Sequence, residues 1–188
     1  MPNNELPSLV KVALDRAFEN NFSDSCSVPT GRLLRVLAAS RLNAQVGEIG
    51  IGYGAGTAWL ASGLASSSTL TAVDHDENRV RVVSPAFKGI PTVKVVHGDW
   101  SVIAGYGPFD LLFIDAGPAK HEPEGLSRSL SLIKPGGIAV FDDMTPGRTA
   151  EDDPTRRMIY SRSDFVCTEV RVREEESVIL AVRLQPPA

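Results

Sequence analysis

The chain has 188 residues, of which 43% are hydrophobic and 22% charged, a length and balance that fit a single globular domain with its own core. Its formal net charge of −4 shows no basic excess, so we expect no partner bound mainly through nucleic-acid phosphates. The apolar segments are too short to cross a bilayer, and we therefore expect no membrane partner.

The N-terminal region predicts two helices ahead of the core. Apolar residues between Leu6 and Phe18 recur at helical spacing, which indicates an amphipathic helix. A polar, turn-rich loop then leads to a second predicted helix, with the sequence GRLLRVLAASR. We predict a single domain, 1–188, in which residues 1–41 are N-terminal helices and lead-in and residues 42–188 form the core.

The first segment and the cysteines indicate the compartment. The segment MPNNELPSL lacks the basic and apolar blocks of a secretory leader. Cys26 and Cys167 form neither a metal-binding pair nor a disulfide framework. We therefore expect reduced thiols and a cytoplasmic protein.

Strands and helices alternate through most of the core. FDLLFID is apolar without alternation, which is typical of a strand buried on both faces. The helix DENRVRVVSPAF is expected to break near Pro85. The predicted strands are VGEIGI, TLTAVD, TVKVVHG, FDLLFID and GIAVFDD, and the helices between them are GTAWLASGL, DENRVRVVSPAF and EGLSRSLSLI.

The C-terminal part predicts a different arrangement. After a short helix near TRRMIYS, two strands, FVCTEVRV and SVILAVRL, are joined by the charged turn REEE. In the first of them, Val166, Thr168, Val170 and Val172 fall on one face. A hairpin requires antiparallel strands. The predicted fold is therefore α/β and doubly wound: a Rossmann-like, seven-stranded, mostly parallel sheet with an antiparallel C-terminal hairpin and helices on both faces.

A glycine-rich turn follows the first core strand in GEIGIGYGAGTAWLA. Glycine permits a sharp turn and a close approach to a ligand, and ligands of doubly wound sheets bind at such strand ends. The run from Gly50 to Ala55 fits the dinucleotide fingerprint, so a nicotinamide or flavin site stays open. Glu48, inside the strand, suits an ammonium or sulfonium ligand better than a pyrophosphate. Asp74 could hold the hydroxyls of a ribose, or it could cap the following helix.

The order of these motifs resembles class I S-adenosylmethionine-dependent methyltransferases. The similar segments are VGEIGIGYGAGTAWLA, TAVDHDENRV, VKVVHGDW, FDLLFIDAG and LIKPGGIAVFDD, followed by the hairpin. The resemblance implies S-adenosylmethionine as cofactor of the core. A histidine at a strand end could instead be solvated, and we prefer that alternative for His97 over a binding role. The implied cofactor-binding residues are Glu48, Gly50, Gly52, Tyr53, Gly54 and Thr57 near the methionine part, Asp74 at the ribose, His75, Asp99 and Trp100 at the adenine, and Asp115.

Three carboxylates follow neighbouring strands. Asp115 ends the fourth core strand, and Asp142 and Asp143 end the fifth. The ends of parallel strands meet at one sheet edge, where these groups would repel one another unless protonated or neutralised. A hard divalent cation such as Mg²⁺ prefers oxygen ligands. We therefore predict a metal site at this edge, with loop and cap roles as the alternative.

This arrangement resembles the cation-dependent O-methyltransferases of the catechol and caffeoyl-coenzyme A type. Two positions differ from that pattern. Asp143 stands where the family has Asn, and Pro118 stands where it has its catalytic lysine. Lys120 is the nearest lysine and, with Asp115, a candidate catalytic residue, although a surface lysine is an alternative and His121 is a further candidate.

The expected function is methyl transfer from S-adenosylmethionine to an oxygen of a small hydroxylated molecule, with Mg²⁺ assistance. An NAD(P)-dependent oxidoreductase and a metal-independent N-methyltransferase are the alternatives. Arg148, Arg156 and Arg157 could favour an acidic substrate, or they could belong to a solvated helix. Pairing of two copies into a homodimer is a further expectation from the resemblance.

Overall fold

The computed structural model describes residues 5–186, so both ends of the predicted domain, including the first four residues of the MPNNELPSL segment, lie outside the described residues. These residues form a seven-stranded sheet with the strand order β3-β2-β1-β4-β5-β7-β6. All pairings from β3 to β5 are parallel, whereas β7 is antiparallel to both β5 and β6. This confirms the predicted fold class. The strands are β1 (Gln45–Ile49), β2 (Thr69–Asp74), β3 (Val93–His97), β4 (Phe109–Ile114), β5 (Ile133–Met144), β6 (Phe165–Arg171) and β7 (Ser177–Arg183).

The helices cover both faces of the sheet, as predicted. Helices α1, α2, α3 and α4 pack on one face of the sheet through one hydrophobic core cluster. Helices α5, α6 and α7 pack on the other face through a second cluster. A short 3₁₀ helix, Trp100–Tyr106, precedes β4. The helices are α1 (Ser8–Glu19), α2 (Val28–Ala39), α3 (Ala55–Gly63), α4 (Glu77–Phe87), α5 (Gly117–His121), α6 (Pro123–Ser131) and α7 (Pro154–Tyr160).

Two helices differ from their expected bounds. Helix α2 begins at Val28, earlier than expected, because the Ser27 side chain accepts a hydrogen bond from the backbone N–H of Thr30 and caps the first turn. The expected break near Pro85 is wrong, because α4 continues through Pro85 to Phe87. Proline removes one backbone hydrogen-bond donor. Because Pro85 lies close to the end of α4, this loss does not end the helix.

Helices α2 and α3 pack unusually closely. A Cβ atom at Gly31 would lie 2.0 Å from Nε1 of Trp59, so only glycine leaves room for the indole. Trp59 is 1% exposed and is the largest of the fully buried side chains in the described region. This contact positions α3, and with it the glycine-rich turn that precedes it.

Strand β6 forms one edge of the sheet, and its apolar face points outward. Val166 is 58% exposed and Val170 is 36% exposed, whereas Phe165 on the opposite face is buried. The face that the sequence pattern singled out is therefore not the one that packs on the core. Within the described residues, no helix combines the length and hydropathy that a membrane span requires.

Candidate functional site

A cavity of about 550 Å³ opens where β1, β2 and β4 end at their carboxyl sides. This is the edge at which doubly wound sheets bind ligands. Three of the predicted site residues do not line the cavity: Gly54, Thr57 and Asp142. Most of the predicted site residues do line it: Glu48, Gly50, Gly52, Tyr53, Asp74, His75, Asp99, Trp100, Asp115, Lys120 and Asp143.

The glycine-rich turn joins β1 to α3 through left-handed backbone conformations. The φ angles of Gly50, Gly52 and Gly54 are +94°, +54° and +93°. A Cβ atom at Gly50 would lie 2.9 Å from the main-chain oxygen of Asp115, so the backbone itself closes this side. Gly54 caps the start of α3 and provides the left-handed backbone turn that leads into this helix.

The Asp74 carboxylate holds the glycine-rich turn in place. One oxygen, Oδ2, accepts hydrogen bonds of 2.9 Å from the backbone N–H groups of Ile51 and Gly52. The other, Oδ1, accepts one from the backbone N–H of Asp76. The cap of α4 is Asp76, so the alternative that Asp74 caps this helix is wrong. A carboxylate offers about four acceptor positions, which leaves Oδ1 of Asp74 room for a ligand hydroxyl.

Glu48 is a buried acid with one oxygen unsatisfied. Its side chain is 0% exposed, and Oε2 accepts a hydrogen bond of 2.5 Å from the Thr57 hydroxyl. Among residues 5–186, Oε1 has no hydrogen-bond partner. Burial raises the pKa of Glu48 to about 8, against the opposing effect of the Thr57 hydrogen bond. A cationic ligand in the cavity would supply the missing interaction. Thr57 does not line the cavity itself, and its hydroxyl instead holds the Glu48 side chain.

The three predicted carboxylates meet at the sheet edge. One oxygen each from Asp115, Asp142 and Asp143 lies within 4.8 Å of the other two. Burial, followed by the charge of Asp142, raises the pKa of Asp115. Burial, followed by the charge of Asp143, raises the pKa of Asp142 to about 7. The convergence expected from the parallel strands is therefore present.

A distortion at the end of β5 allows two adjacent residues to join this cluster. Consecutive side chains of a regular strand point to opposite faces. The pairing of β5 with β7 shifts register between Phe141 and Met144. Asp143 has a φ of +53°, in the left-handed region. This irregularity brings the Asp142 and Asp143 carboxylates together.

Lys120 lies in the same cluster. Its side chain is buried, and Nζ donates a hydrogen bond of 2.8 Å to the main-chain oxygen of Asp142. The same nitrogen lies 3.8 Å from Oδ1 of Asp115 and 3.8 Å from Oδ2 of Asp143. Helix α5, which the sequence pattern did not predict, turns Lys120 back toward the strand ends. The surface alternative for Lys120 is therefore wrong.

His121 follows Lys120 and also lines the cavity. Its Nδ1 lies 3.0 Å from the hydroxyl oxygen of Thr155, a buried residue of α7. That hydroxyl donates a hydrogen bond of 3.2 Å to the main-chain oxygen of Lys120. Burial, followed by the charge of Lys120, lowers the pKa of His121.

The rim of the cavity includes residues that the sequence reasoning missed. Phe22 stacks at a tilt on Tyr53, with ring centroids 5.2 Å apart, and Arg79 lies 4.8 Å above the Phe22 ring. Cys26 also lines the cavity. Phe22 and Cys26 lie in the loop before α2, and Arg79 lies in the first turn of α4, where no periodic pattern marks them. His97 is exposed and lies outside the lining, in agreement with the preferred solvated role.

The C-terminal hairpin connects with the site through Glu176. Its Oε1 accepts hydrogen bonds of 2.7 Å from the hydroxyls of Ser27 and Thr30. The Thr30 hydroxyl also lies 3.5 Å from Oδ1 of Asp142. Ser27 and Thr30 at the start of α2 are thus hydrogen-bonded to the hairpin, and the Thr30 hydroxyl brings both close to the carboxylate cluster.

Arg156 does not belong to the site. It is 0% exposed and pairs with Asp153 and Glu169, and it donates a hydrogen bond to the main-chain oxygen of Thr145. Both expectations for Arg156, a substrate contact and a solvated helix face, are wrong, because its guanidinium ties α7 to β6. Arg157 donates to main-chain oxygens of the preceding loop.

Comparison with known proteins gives consistent matches. The family described as a methyltransferase domain matches residues 48–144. A protein of Mycobacterium ulcerans named "Putative O-methyltransferase" is 28% identical over 156 residues, which cover 79% of this chain and 69% of that protein.

Solved structures show the same fold. The O-methyltransferase from Bacillus cereus in complex with SAH has a TM-score of 0.79 at 21% identity, and a methyltransferase from Geobacter sulfurreducens has 0.78 at 25% identity. Both matches cover 96% of this chain and 92% of the other.

Proposed function

Because the chain belongs to the methyltransferase family whose domain matches residues 48–144, we propose that it transfers the methyl group of S-adenosylmethionine to an oxygen of a small hydroxylated molecule. The unsatisfied Oε1 of Glu48 is the observation that carries this proposal, since a buried acid without a partner in the residues that line the cavity favours a cationic ligand there. The relative named as an O-methyltransferase supports an oxygen acceptor. The match to a methyltransferase domain favours this function over the alternative of an NAD(P)-dependent oxidoreductase.

We propose the following contacts for the methyl donor. The donor's ammonium or sulfonium group would lie toward Glu48, whose pKa burial raises to about 8. The ribose hydroxyls bind Oδ1 of Asp74, which keeps a free acceptor position. The adenine lies at the rim that is lined by His75, Asp99 and Trp100. Such fixed contacts supply positioning, which is the main requirement of an in-line displacement.

The carboxylate cluster fits a divalent cation such as Mg²⁺. Its donors are oxygen atoms within 4.8 Å of one another. Three carboxylates and the Lys120 ammonium leave an excess of negative charge, which adds to the effect of burial in raising the pKa of Asp115 and Asp142. Asp115, Asp142 and Asp143 would hold the ion, which would bind an acceptor hydroxyl and lower its pKa.

The protein's own groups have distinct roles in this proposal. Lys120 positions the cluster, because its nitrogen links the main chain of Asp142 to the Asp115 carboxylate. Asp115 forms part of the wall between the glycine-rich turn and the acceptor side. A base role for Lys120 stays a prediction, as does pairing of two copies.

Calorimetric titration with four ligands tests the donor. We expect S-adenosylmethionine and S-adenosylhomocysteine to bind far more tightly than NAD⁺ or NADP⁺. Tighter binding of either dinucleotide would overturn the proposed function.

Turnover of a catechol in the presence of a chelator tests the metal. We expect activity to fall in chelator and to return with Mg²⁺, and Asp142→Ala should lower turnover far more than it lowers donor affinity. Asp143→Asn, which keeps an oxygen ligand, is the matched control and should retain Mg²⁺ dependence. Full wild-type activity in chelator would leave a metal-independent enzyme, and the acidic cluster would then suit an amine acceptor.

A further inference from the structure

The hydrogen bonds of Thr155 define which nitrogen of His121 carries the proton. A threonine hydroxyl has one hydrogen, and Thr155 donates it to the main-chain oxygen of Lys120, which can only accept. The Thr155 oxygen is therefore the acceptor in its contact with His121, and Nδ1 of His121 is the donor, at 3.0 Å. A neutral imidazole that carries its proton on Nδ1 has a free lone pair on Nε2.

The position of His121 brings that lone pair to the substrate cavity. His121 ends α5 and lines the cavity beside Lys120 and Asp143. Of its two ring nitrogens, Nδ1 is held by Thr155 on α7, so Nε2 is the one left for a ligand. The charged groups around the imidazole are Lys120 on its own helix, Asp143 at the end of β5 and Asp153 at the start of α7. The lysine charge and burial favour the neutral form that can accept a proton.

Lys120 is poorly placed to take the same proton. Its Nζ donates to the main-chain oxygen of Asp142 and faces the carboxylates of Asp115 and Asp143 at 3.8 Å. As an ammonium group with one hydrogen bond to a main-chain oxygen and two carboxylates at ion-pair distance, Nζ carries three hydrogens and has no lone pair with which to accept a proton.

We propose that His121 is the general base of the reaction, a role that rests on the proposed methyl transfer. The acceptor oxygen forms a bond to the methyl carbon while the carbon–sulfur bond breaks and its electron pair stays on sulfur. The hydroxyl proton of the acceptor passes to Nε2 of His121, which becomes an imidazolium. Thr155 is a positioning residue, since its oxygen holds Nδ1 and thereby directs Nε2.

The tautomer can be measured without turnover. Long-range ¹H–¹⁵N NMR spectra of the ligand-free protein should show His121, at a pH where it is neutral, with its proton on Nδ1. Thr155→Val removes the acceptor and should allow both tautomers, whereas Thr155→Ser keeps the hydroxyl and should preserve the wild-type pattern. A wild-type His121 that carries its neutral proton on Nε2 would overturn the proposal.

Kinetics of His121→Asn test the base itself. Asparagine keeps a donor toward Thr155 but offers no basic nitrogen. General-base catalysis contributes roughly 100-fold to 10,000-fold, so we expect the variant's kcat on catechol at neutral pH to fall by about 100-fold or more. On a nitrocatechol, whose hydroxyl is already ionised, the loss should be only a few-fold. The matched control is His97→Gln, an exposed histidine outside the cavity lining, which should leave both rates unchanged.

The outcomes separate this inference from the proposed function. Wild-type protein that binds S-adenosylhomocysteine and methylates catechol upholds the proposed function. If His121→Asn then retains catechol turnover, or loses the same factor on both acceptors, His121 is not the base. If the wild type binds no methyl donor, the proposed function fails and the inference fails with it.

Discussion

Nζ of Lys120 donates a hydrogen bond of 2.8 Å to the main-chain oxygen of Asp142, and this contact joins the segment after β4 to the end of β5. The same nitrogen faces the carboxylates of Asp115 and Asp143. A single buried cation therefore holds together a group of acids that would otherwise repel one another.

We expect Lys120→Met to destabilise the protein by about 3–5 kcal/mol, because it leaves buried carboxylates without their partner. Chemical denaturation measures this loss. Lys134→Met is the matched control: Lys134 pairs with Asp110 at 2.8 Å near the surface, and its loss should cost about 1 kcal/mol or less. If the cluster binds metal, Mg²⁺ should raise the melting temperature of Lys120→Met more than that of the wild type. An equal stability loss in both lysine variants would contradict this prediction.

The raised pKa of Glu48 predicts a pH dependence of stability. Burial raises its pKa from 4.5 to about 8, so between these values the folded protein keeps a proton that the unfolded chain has released. Stability should therefore fall as the pH rises through this window. Glu48→Gln should remove this part of the dependence and should be more stable than the wild type near pH 8, by a few kcal/mol at about 1.4 kcal/mol per pKa unit.

Asp110→Asn provides a control of opposite sign for Glu48→Gln. Burial opposes ionisation of Asp110, but hydrogen bonds from the backbone of Gln45 and from Lys134 outweigh it and lower its pKa. This carboxylate stabilises the fold at neutral pH, so Asp110→Asn should lower the melting temperature there. Melting curves of both variants at several pH values compare the two effects. A Glu48→Gln variant less stable than the wild type at high pH would refute the prediction.

Asp74→Ala should weaken binding of the methyl donor by roughly 1–3 kcal/mol, because it removes an acceptor from buried backbone donors and releases the glycine-rich turn. Titration with S-adenosylhomocysteine measures the effect. Asp76→Ala is the matched control, because Asp76 caps α4 but does not hold the turn. It should lower stability modestly and leave donor affinity unchanged. Equal affinities of the two variants would place the turn away from the donor.

Gly52→Val should abolish donor binding in a folded protein. Gly52 has a φ of +54°, which a β-branched residue strongly disfavours, and its Cβ would lie 2.9 Å from the Phe22 ring. Gly105→Val is the matched control, since a Cβ there would point into open space and the φ of Gly105 lies outside the left-handed region. Circular dichroism verifies the fold, and calorimetry measures binding. Normal binding by Gly52→Val would show that the turn does not contact the donor.

The sequence predicted the strands and the convergence of acids because both follow from local rules. Parallel strands such as β4 and β5 bring their ends to one edge, so Asp115 and Asp142 had to meet. Lys120 was a candidate from the sequence, but its buried contacts with the acids could not be predicted, because they depend on α5, a single helical turn with no periodic pattern of its own. The contact between His121 and Thr155 joins residues 34 positions apart and has no local signal.

The left-handed backbone of Asp143 limits which residues can occupy that position. Glycine, asparagine and aspartate adopt this conformation most readily, and most other side chains are strained there. Few substitutions of Asp143 are therefore compatible with the backbone. Asparagine would remove a negative charge but keep an oxygen ligand, and glycine would remove both the charge and the ligand. The charge of the cluster, and with it the choice between a metal ion and a cationic acceptor, can therefore change by one substitution that leaves the backbone intact.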